Sequence, residues 1–216
     1  MDVHVLCEGN SLFNRFIAEI RAVDIQQDPL RFRKNLERMG EIFAYELSKH
    51  LDYEQKKVTT PLGIAEVQVP SIEPVLATIL RAGLPLHQGL LNYFDRANNA
   101  FISAYRKHEQ SGEFDIHVEY LASPSIEGRT VVLSDPMLAT GRSMLLCYEA
   151  LLKKGAPTHT HIVAVLASEE GLNYLKNNLP ENTTIWVGDV DIELDANSYI
   201  VPGLGDAGDL AFGTKT

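Results

Sequence analysis

Cysteine is scarce in this sequence, with Cys7 and Cys147 the only two among 216 residues. Two cysteines cannot build the disulfide framework of a small secreted domain, so a reducing compartment is expected. Long apolar runs are also missing, because no stretch approaches the roughly 18 residues of a membrane span. The N-terminal MDVHVLCEGNS is acidic and poor in apolar residues, and it does not predict a signal peptide. We therefore expect a cytoplasmic protein with no membrane partner.

Positive charge is in short supply as well. Lys and Arg number 19 against 29 Asp and Glu, which gives a formal net charge of −10 at pH 7. A general nucleic-acid surface requires a basic face, so no nucleic-acid partner is expected, although a local positive pocket for a small anion stays open. The composition, 45% hydrophobic and 22% charged, is typical of a folded globular chain. Without linker, repeat or low-complexity segment, the sequence predicts one domain over residues 1–216.

The hydrophobic periodicity changes along the chain. Residues 12–50 carry two helical patterns, and β-branched residues around a Pro-Leu-Gly turn predict a hairpin over 56–70. Farther on, strand and helix patterns alternate. The predicted strands cover 74–80, 100–106, 115–123 (a further hairpin arm), 129–135, 160–168 and 183–190, and the predicted helices cover 84–94, 143–156 and 168–179. Apolar strands joined by helices imply an α/β fold with a central parallel sheet and helices on both faces.

The stretch VVLSDPMLATGRS, residues 131–143, places one carboxylate at the end of an apolar strand. Ligands of parallel sheets bind beyond the carboxyl ends of strands, where helix N-termini point free N–H groups outward, so loop 137–143 is expected to cradle a phosphate. Asp135 is suited to vicinal hydroxyls, and a ribose phosphate satisfies both features. On spacing alone, the same residues fit equally well an ordinary helix capped by Ser143, with Asp135 as a turn residue and no ligand site. The lysine of a nucleoside-triphosphate P-loop is missing.

VVLSDPMLATGRS resembles the phosphoribosyl-pyrophosphate (PRPP) motif of type I phosphoribosyltransferases, in the DPMLATG form typical of uracil phosphoribosyltransferase. Other segments agree in the same order: ILRAGLPL (79–86), ISAYRKHE (102–109) and YIVPGLGDAGDLAFGTK (199–215). RFRKNLERMGEIFAYEL and TTPLGIAEV also resemble the family, so the likeness covers nearly the whole chain. It implies a central parallel sheet flanked by helices, with an added β-hairpin arm and N-terminal helices. It also implies transfer of the phosphoribosyl group of PRPP to uracil, giving UMP and pyrophosphate in pyrimidine salvage.

The resemblance assigns the residues that bind PRPP. The loop would hold the 5′-phosphate and Asp135 the ribose hydroxyls, while Arg81 and Arg106 would stabilise the charge that builds on the leaving pyrophosphate. Taken alone, an arginine after a strand more often forms a surface ion pair. The implied set is Arg81, Arg106, Asp135, Pro136, Met137, Leu138, Ala139, Thr140, Gly141, Arg142, Ser143 and Asp206. Mg²⁺ is the implied cofactor, carried by PRPP with no direct protein ligand predicted.

The resemblance places uracil against Ile200, Gly205, Asp206 and Ala207. Uracil presents O4, N3–H and O2 along one edge, and backbone C=O and N–H groups can complement this pattern. The implied catalytic residues are Arg81, Arg106, Asp135 and Asp206, the last helping to polarise N1 of uracil. A turn-stabilising role is the alternative for Asp206.

The C-terminal glycines Gly203, Gly205 and Gly208 also satisfy the dinucleotide fingerprint G-x-G-x-x-G. No helix is expected to follow, since only eight residues remain after Gly208, and the context therefore excludes a dinucleotide site. His159 and His161 alternate on a strand with no third ligand nearby, and a metal pair is not expected.

Two positions depart from the family pattern: Arg142 replaces the second glycine of ATGGS, and Leu210 replaces the basic residue of DAGDR. A purine or orotate transferase is the main rival, but such relatives usually carry a second acid where this chain has Pro136, and they lack the GLGDAGD tail. An RNA-binding regulator on the same fold is disfavoured by the acidic balance. The resemblance implies a homo-oligomer, a dimer or a tetramer, and raises GTP as an effector.

Overall fold

The structure, a computed structural model, describes the backbone of residues 1–108 and 114–215 and the side chains of residues 1–103 and 118–215. Its helices are α1 (Leu12–Arg21), α2 (Val23–Gln26), α3 (Pro29–Ser48), α4 (Leu84–Tyr93), α5 (Arg142–Leu152), α6 (Glu169–Asn178) and α7 (Ala207–Phe212). Its strands are β1 (Asp2–Val5), β2 (Tyr53–Thr60), β3 (Gly63–Pro70), β4 (Val75–Leu80), β5 (Asn98–His108), β6 (Phe114–Ala122), β7 (Thr130–Ser134), β8 (Met137–Leu138), β9 (His159–Ser168), β10 (Thr183–Asp191), β11 (Glu193–Leu194) and β12 (Ile200–Val201). Within the described residues, no helix combines the length and the apolar character needed to cross a membrane.

The central sheet has the strand order β1-β10-β9-β7-β4-β5-β6, with β8 pairing β9 beside this path. Its strand pairs are parallel except β5 with β6, which is antiparallel. The predicted α/β fold with a central parallel sheet is therefore confirmed. Strand β1 was not predicted: Asp2 to Val5 pair with Thr184 to Val187 at one edge of the sheet.

Helices cover both faces of this sheet. Successive strand residues point to opposite faces. Leu76, Val132 and Val163 pack with α1, α3 and α4, whereas Val75, Leu133 and Ile162 pack with α5 and α6. The connection from β4 to β5 runs toward one edge of the sheet, and the connection from β7 to β9 runs toward the other. Right-handed connections that run in opposite directions place their helices on opposite faces, which accounts for this division.

Helix α3 follows the predicted apolar pattern. Asp28 caps it by accepting hydrogen bonds from the backbone N–H groups of Leu30 at 2.9 Å and Arg31 at 3.2 Å. Leu36, Met39, Phe43 and Leu47 are fully buried, and Ile42 is partly buried against them. The stripe therefore anchors the N-terminal helices to the sheet.

Strands β2 and β3 form the predicted hairpin arm. Thr60 pairs with Gly63 across the turn, and the ladder continues to Tyr53 opposite Pro70. A backbone bond of 2.9 Å from Ser71 to Asp52 closes its base. Most of its residues are exposed on both faces.

The two histidines of THTHIV belong to an aromatic cluster at the β1 edge. His161 Nδ1 accepts a hydrogen bond from Trp186 Nε1 at 3.1 Å, and His159 Nε2 lies 3.0 Å from Thr184 Oγ1. Burial and the neighbouring histidines lower the pKa of His161 to about 3, so its ring is neutral and can accept this bond. Both side chains thus have a structural partner.

Candidate active site

The candidate site lies between β4 and β7, where the order in which successive strands are added to the sheet reverses. From β4 the chain crosses through α4 to β5, whereas from the neighbouring β7 it crosses through α5 to β9, on the other side. The loops after β4 and β7 therefore separate and leave a crevice at the carboxyl ends of these strands, which is the common ligand position in open α/β sheets. Arg81 follows β4 and Asp135 follows β7.

A cleft of about 230 Å³ occupies this crevice. Segments far apart in sequence meet there: the end of β4, the loop before α5, and the C-terminal loop. The predicted residues that line it are Arg81, Asp135, Met137, Leu138, Ala139, Thr140, Gly141, Ser143, Ile200, Gly205, Asp206 and Ala207. The fold thus brings the predicted phosphate loop and the predicted base loop to one cavity.

The loop before α5 is fixed from behind. Its β8 segment pairs with β9, and the hydroxyl of Ser168 donates a 2.6 Å hydrogen bond to the carbonyl of Ala139. The same hydroxyl accepts from Gly171 N–H at 2.9 Å. A Cβ on Gly171 would lie 2.1 Å from the Ala139 oxygen, so only glycine allows α6 to approach the loop this closely. The inner side of the loop remains available to a ligand.

The N-terminus of α5 faces the same cleft. The helix begins at Arg142, and its N-cap is Gly141, in the left-handed conformation with φ 76° and without a side-chain cap. The prediction that Ser143 caps the helix is therefore wrong, because the cap lies two residues earlier and Ser143 is already inside the helix. The first N–H groups of a helix have no intrahelical partner and carry positive charge, which suits a phosphate.

Asp135 lies half-buried at the inner end of the cleft. Burial raises the pKa of this carboxyl to about 7; a backbone hydrogen bond from Met137 lowers the pKa in part, and the Asp206 carboxylate raises it. The carboxylate of Asp206 therefore shares the cavity with Asp135 and disfavours the charged form of Asp135. Hydroxyl donors or a cation would favour the charged form of Asp135.

Arg81 is held by the C-terminal segment. Its Nη2 lies 3.1 Å from Asp209 Oδ1 and donates to the Gly213 carbonyl at 3.3 Å. Its Nε is buried and has no hydrogen-bond partner among the described residues. Arg81 lines the cleft with its side chain 38% exposed, so its guanidinium can donate to an anion there, as expected for a pyrophosphate ligand.

The C-terminal loop ends in a helix that was not predicted. Asp206 Oδ1 accepts a 2.9 Å hydrogen bond from Asp209 N–H and caps α7. The expectation that no helix follows the glycines is therefore wrong, since this cap and a 2.7 Å bond from Arg33 Nη1 to the Ala211 carbonyl hold a short one. The turn-stabilising role of Asp206 is real, and it leaves the residue in the lining of the cleft.

Three predicted PRPP residues do not appear in this lining. Pro136 is buried behind the loop, where its carbonyl accepts from Val165 and Leu166 N–H at 3.0 and 2.9 Å. Arg142 is exposed at the start of α5. The backbone of Arg106 belongs to β5, and its side chain lies outside the described residues.

The lining also includes residues that sequence reasoning missed, among them Ala82, Tyr199, Gly208 and Lys215. Asp209, the partner of Arg81, was missed as well. The second acid of GDAGD was the available signal, but its partner lies 128 residues away in sequence, and local spacing does not reveal it.

The chain is similar to known proteins over nearly its whole length. The chain matches the family model described as uracil phosphoribosyltransferase over residues 9–214. The uracil phosphoribosyltransferase of Porphyromonas gingivalis is 57% identical over 215 residues, 100% of both chains. That of Pyrococcus furiosus is 38% identical over 209 residues, covering 95% of this chain and 88% of the relative. Among solved structures, the AQ2163 protein from Aquifex aeolicus has a TM-score of 0.87 at 31% identity and 99% coverage of both chains.

Proposed function

Because the chain belongs to the uracil phosphoribosyltransferase family, we propose that it transfers the phosphoribosyl group of PRPP to uracil and releases pyrophosphate. The observation that carries this proposal is the meeting of Arg81, the loop after Asp135 and the loop around Asp206 in one cleft. The product, UMP, places the enzyme in pyrimidine salvage.

Each part of PRPP has a counterpart in the chain. Backbone N–H groups at the start of α5 bind the 5′-phosphate, and Asp135 accepts hydrogen bonds from the ribose hydroxyls. Arg81 and Arg106 bind the pyrophosphate and stabilise the charge that develops as the C1–O bond breaks. The transition state carries oxocarbenium character at C1, so the enzyme acts mainly by positioning the two substrates and stabilising the departing charge.

Mg²⁺ is the cofactor that we propose. The carboxylates of Asp135 and Asp206 both line the cleft, and a divalent cation bound there would favour the charged form of Asp135, whose pKa is raised mainly by burial. Oxygens of PRPP would hold the ion, with no direct ligand from the chain. When bound, Mg²⁺ neutralises charge on the leaving pyrophosphate.

The test is a product assay with PRPP, Mg²⁺ and one base at a time: uracil, hypoxanthine or orotate. We expect UMP from uracil and no nucleotide from the other two, because the chain carries Pro136 and the GLGDAGD tail. Efficient turnover of hypoxanthine or orotate would overturn the assignment.

The family resemblance also suggests GTP as an effector, and adding GTP to the uracil reaction tests whether the rate of UMP formation changes.

We also propose that the enzyme is a homodimer in which the β2–β3 arm packs against a second copy. An isolated two-stranded hairpin is marginally stable in water. The arm also exposes the apolar side chains of Val58, Leu62, Ile64 and Val67, and contact with another chain would bury them.

A cytoplasmic location is proposed too, supported by the free thiols Cys7 and Cys147.

The dimer predicts a solution mass of about twice the 24.0 kDa of one chain. Ile64→Asp and Val67→Asp place a charge on opposite faces of the arm, and at least one should shift the mass toward the monomer. Leu30→Asp is the matched control, since Leu30 is 61% exposed outside the arm and Ile64 is 72% exposed within it. Light scattering measures the masses, and a monomeric wild type or two unchanged arm variants would contradict the proposal.

A further inference from the structure

A buried ion pair outside the cleft holds the loop that reads the base. Gly203 lies between Ile200 and Gly205, two of the residues assigned to uracil, and both of its backbone polar groups are bound by side chains. Its N–H donates to Asp191 Oδ2 at 3.0 Å, and its carbonyl accepts from Arg21 Nη1 at 3.1 Å. Arg21 and Asp191 also bind each other through two contacts, at 2.7 and 2.9 Å. We call Arg21, Asp191 and Gly203 the base-loop clamp.

The position of the clamp follows from the fold. Asp189 and Asp191 lie two residues apart at the end of β10, so their side chains share one face of the sheet. Arg21 ends α1 on that face, and its Nη2 also binds Asp189 Oδ2 at 2.9 Å. The Asp191 side chain is 8% exposed and that of Arg21 is 19% exposed. Burial of this kind strengthens the hydrogen bonds and leaves little freedom to the backbone that they hold.

The clamp acts on a tight turn. Gly203 has φ 55°, and a Cβ there would lie 2.1 Å from the carbonyl oxygen of Ile200. The backbone of Gly203 therefore sits directly against that of Ile200, and Gly205 to Ala207 follow in the cleft lining. A shift of Gly203 would move the hydrogen-bonding groups on both sides of it.

We propose that Arg21 and Asp191 are positioning residues for base recognition. They touch no substrate, and they set the position of the backbone groups with which the loop binds uracil. The inference rests on the proposed uracil phosphoribosyltransferase activity. Uracil is selected by backbone groups, whose direction depends on the loop conformation, and the clamp fixes that conformation. The PRPP loop is held by separate contacts, through β8 and Ser168. Loss of the clamp should therefore affect the base more than PRPP.

The central variants are Asp191→Ala and Arg21→Met. Each should raise KM for uracil and lower kcat/KM for uracil by about 10-fold to 100-fold, the scale of a misplaced binding group. KM for PRPP should rise by less than KM for uracil, because the phosphate loop keeps its own supports and Asp206 alone of the PRPP set lies in the clamped loop. The preference for uracil over cytosine should also fall, which simple destabilisation of the fold would not cause.

Two controls separate positioning from stability. Asp189→Ala removes a partner of Arg21 that has no bond to Gly203, and it should keep KM for uracil near the wild-type value. Arg31→Met breaks the ion pair with Glu19, whose contacts are 2.8 Å and tie α3 to α1, and it should lower Tm without changing base preference. Melting curves and circular dichroism show whether each variant folds.

The outcomes are distinct. A wild-type enzyme that makes no UMP would refute the proposed function itself. An active wild type whose folded Asp191→Ala and Arg21→Met variants keep KM for uracil and base preference would overturn the clamp. So would an equal rise in KM for both substrates. If Asp191→Ala or Arg21→Met does not fold, Asp191→Asn and Arg21→Lys replace them. Asp191→Asn removes the charge that pairs with Arg21, and Arg21→Lys removes the planar fork that binds Asp191 and Gly203 together. The same two KM values, for uracil and for PRPP, are then compared with those of the wild type.

Discussion

Wild-type enzyme is expected to use uracil with a kcat/KM about 10⁴ to 10⁵ times that for cytosine. Uracil offers an acceptor at position 4 and a donor at N3, whereas cytosine offers a donor at position 4 and an acceptor at N3. In a site whose backbone C=O and N–H groups complement uracil, the 4-amino group of cytosine would face an N–H donor. Its N3 acceptor would face a C=O acceptor. The buried polar groups would then stay unpaired, at a cost of about 1–3 kcal/mol for each.

The structure suits backbone readout at the base loop. Ile200 is 4% exposed, with its side chain packed in the core, and Gly205 adopts φ 91°, a conformation that side chains rarely allow. Ala207 is buried as the first residue of α7. Side chains at Ile200 and Ala207 thus serve packing, and we therefore expect the choice of base to depend on backbone groups.

Steady-state kinetics with both bases test this account in wild type, Ile200→Val and Ala207→Gly. Ala207→Gly should weaken turnover modestly, by loosening the loop, and both variants should keep the preference for uracil. If either mild substitution lets cytosine compete, the shape of a side chain sets specificity and the backbone account is wrong.

Arg81→Ala is expected to lower kcat/KM for PRPP by about 10² or more, the loss seen when one transition-state donor is removed. Its Nε is buried without a partner among the described residues, while Asp209 and Gly213 hold Nη2. The guanidinium is thus oriented before PRPP binds. Arg81→Lys should recover only part of the loss, since an ammonium lacks the planar fork. Arg106→Ala carries the same expectation from the family resemblance.

Arg129→Ala is the matched control for Arg81. Arg129 also bonds a backbone carbonyl, that of Glu73 at 2.9 Å, and also has a buried Nε without a partner among the described residues. It does not line the cleft. Its loss should lower Tm and leave kcat/KM for PRPP near the wild-type value. Wild-type kinetics in Arg81→Ala would remove that residue from the site.

The repeating patterns predicted the framework well. The stripe from Leu36 to Leu47, the hairpin over 56–70 and the strand over 160–168 all form. Each is long enough for its period to show which face is buried, and periodic burial is the property that a helix or a strand must satisfy. The prediction of one domain over residues 1–216 stays a prediction.

Short elements escaped this reasoning. Strand β1 covers Asp2–Val5, β12 covers Ile200–Val201 and α7 covers Ala207–Phe212. Segments of this length contain too few residues to display a period, and their stability comes from partners elsewhere. Asp2 to Val5 form a strand because β10 offers an open edge, and α7 forms because Asp206 and Arg33 satisfy its ends.

The sequence by itself determined the chemistry available to this protein: a carboxylate before a loop of small residues, an arginine after a strand, and a glycine-rich tail. These features are local, and neighbouring residues decide them. Only the tertiary structure decided which of them meet. Arg21 and Asp191 are 170 residues apart, and Arg81 and Asp209 are 128 apart. No local period encodes such pairs, because the order of strands in the sheet and the direction of each crossover bring them together.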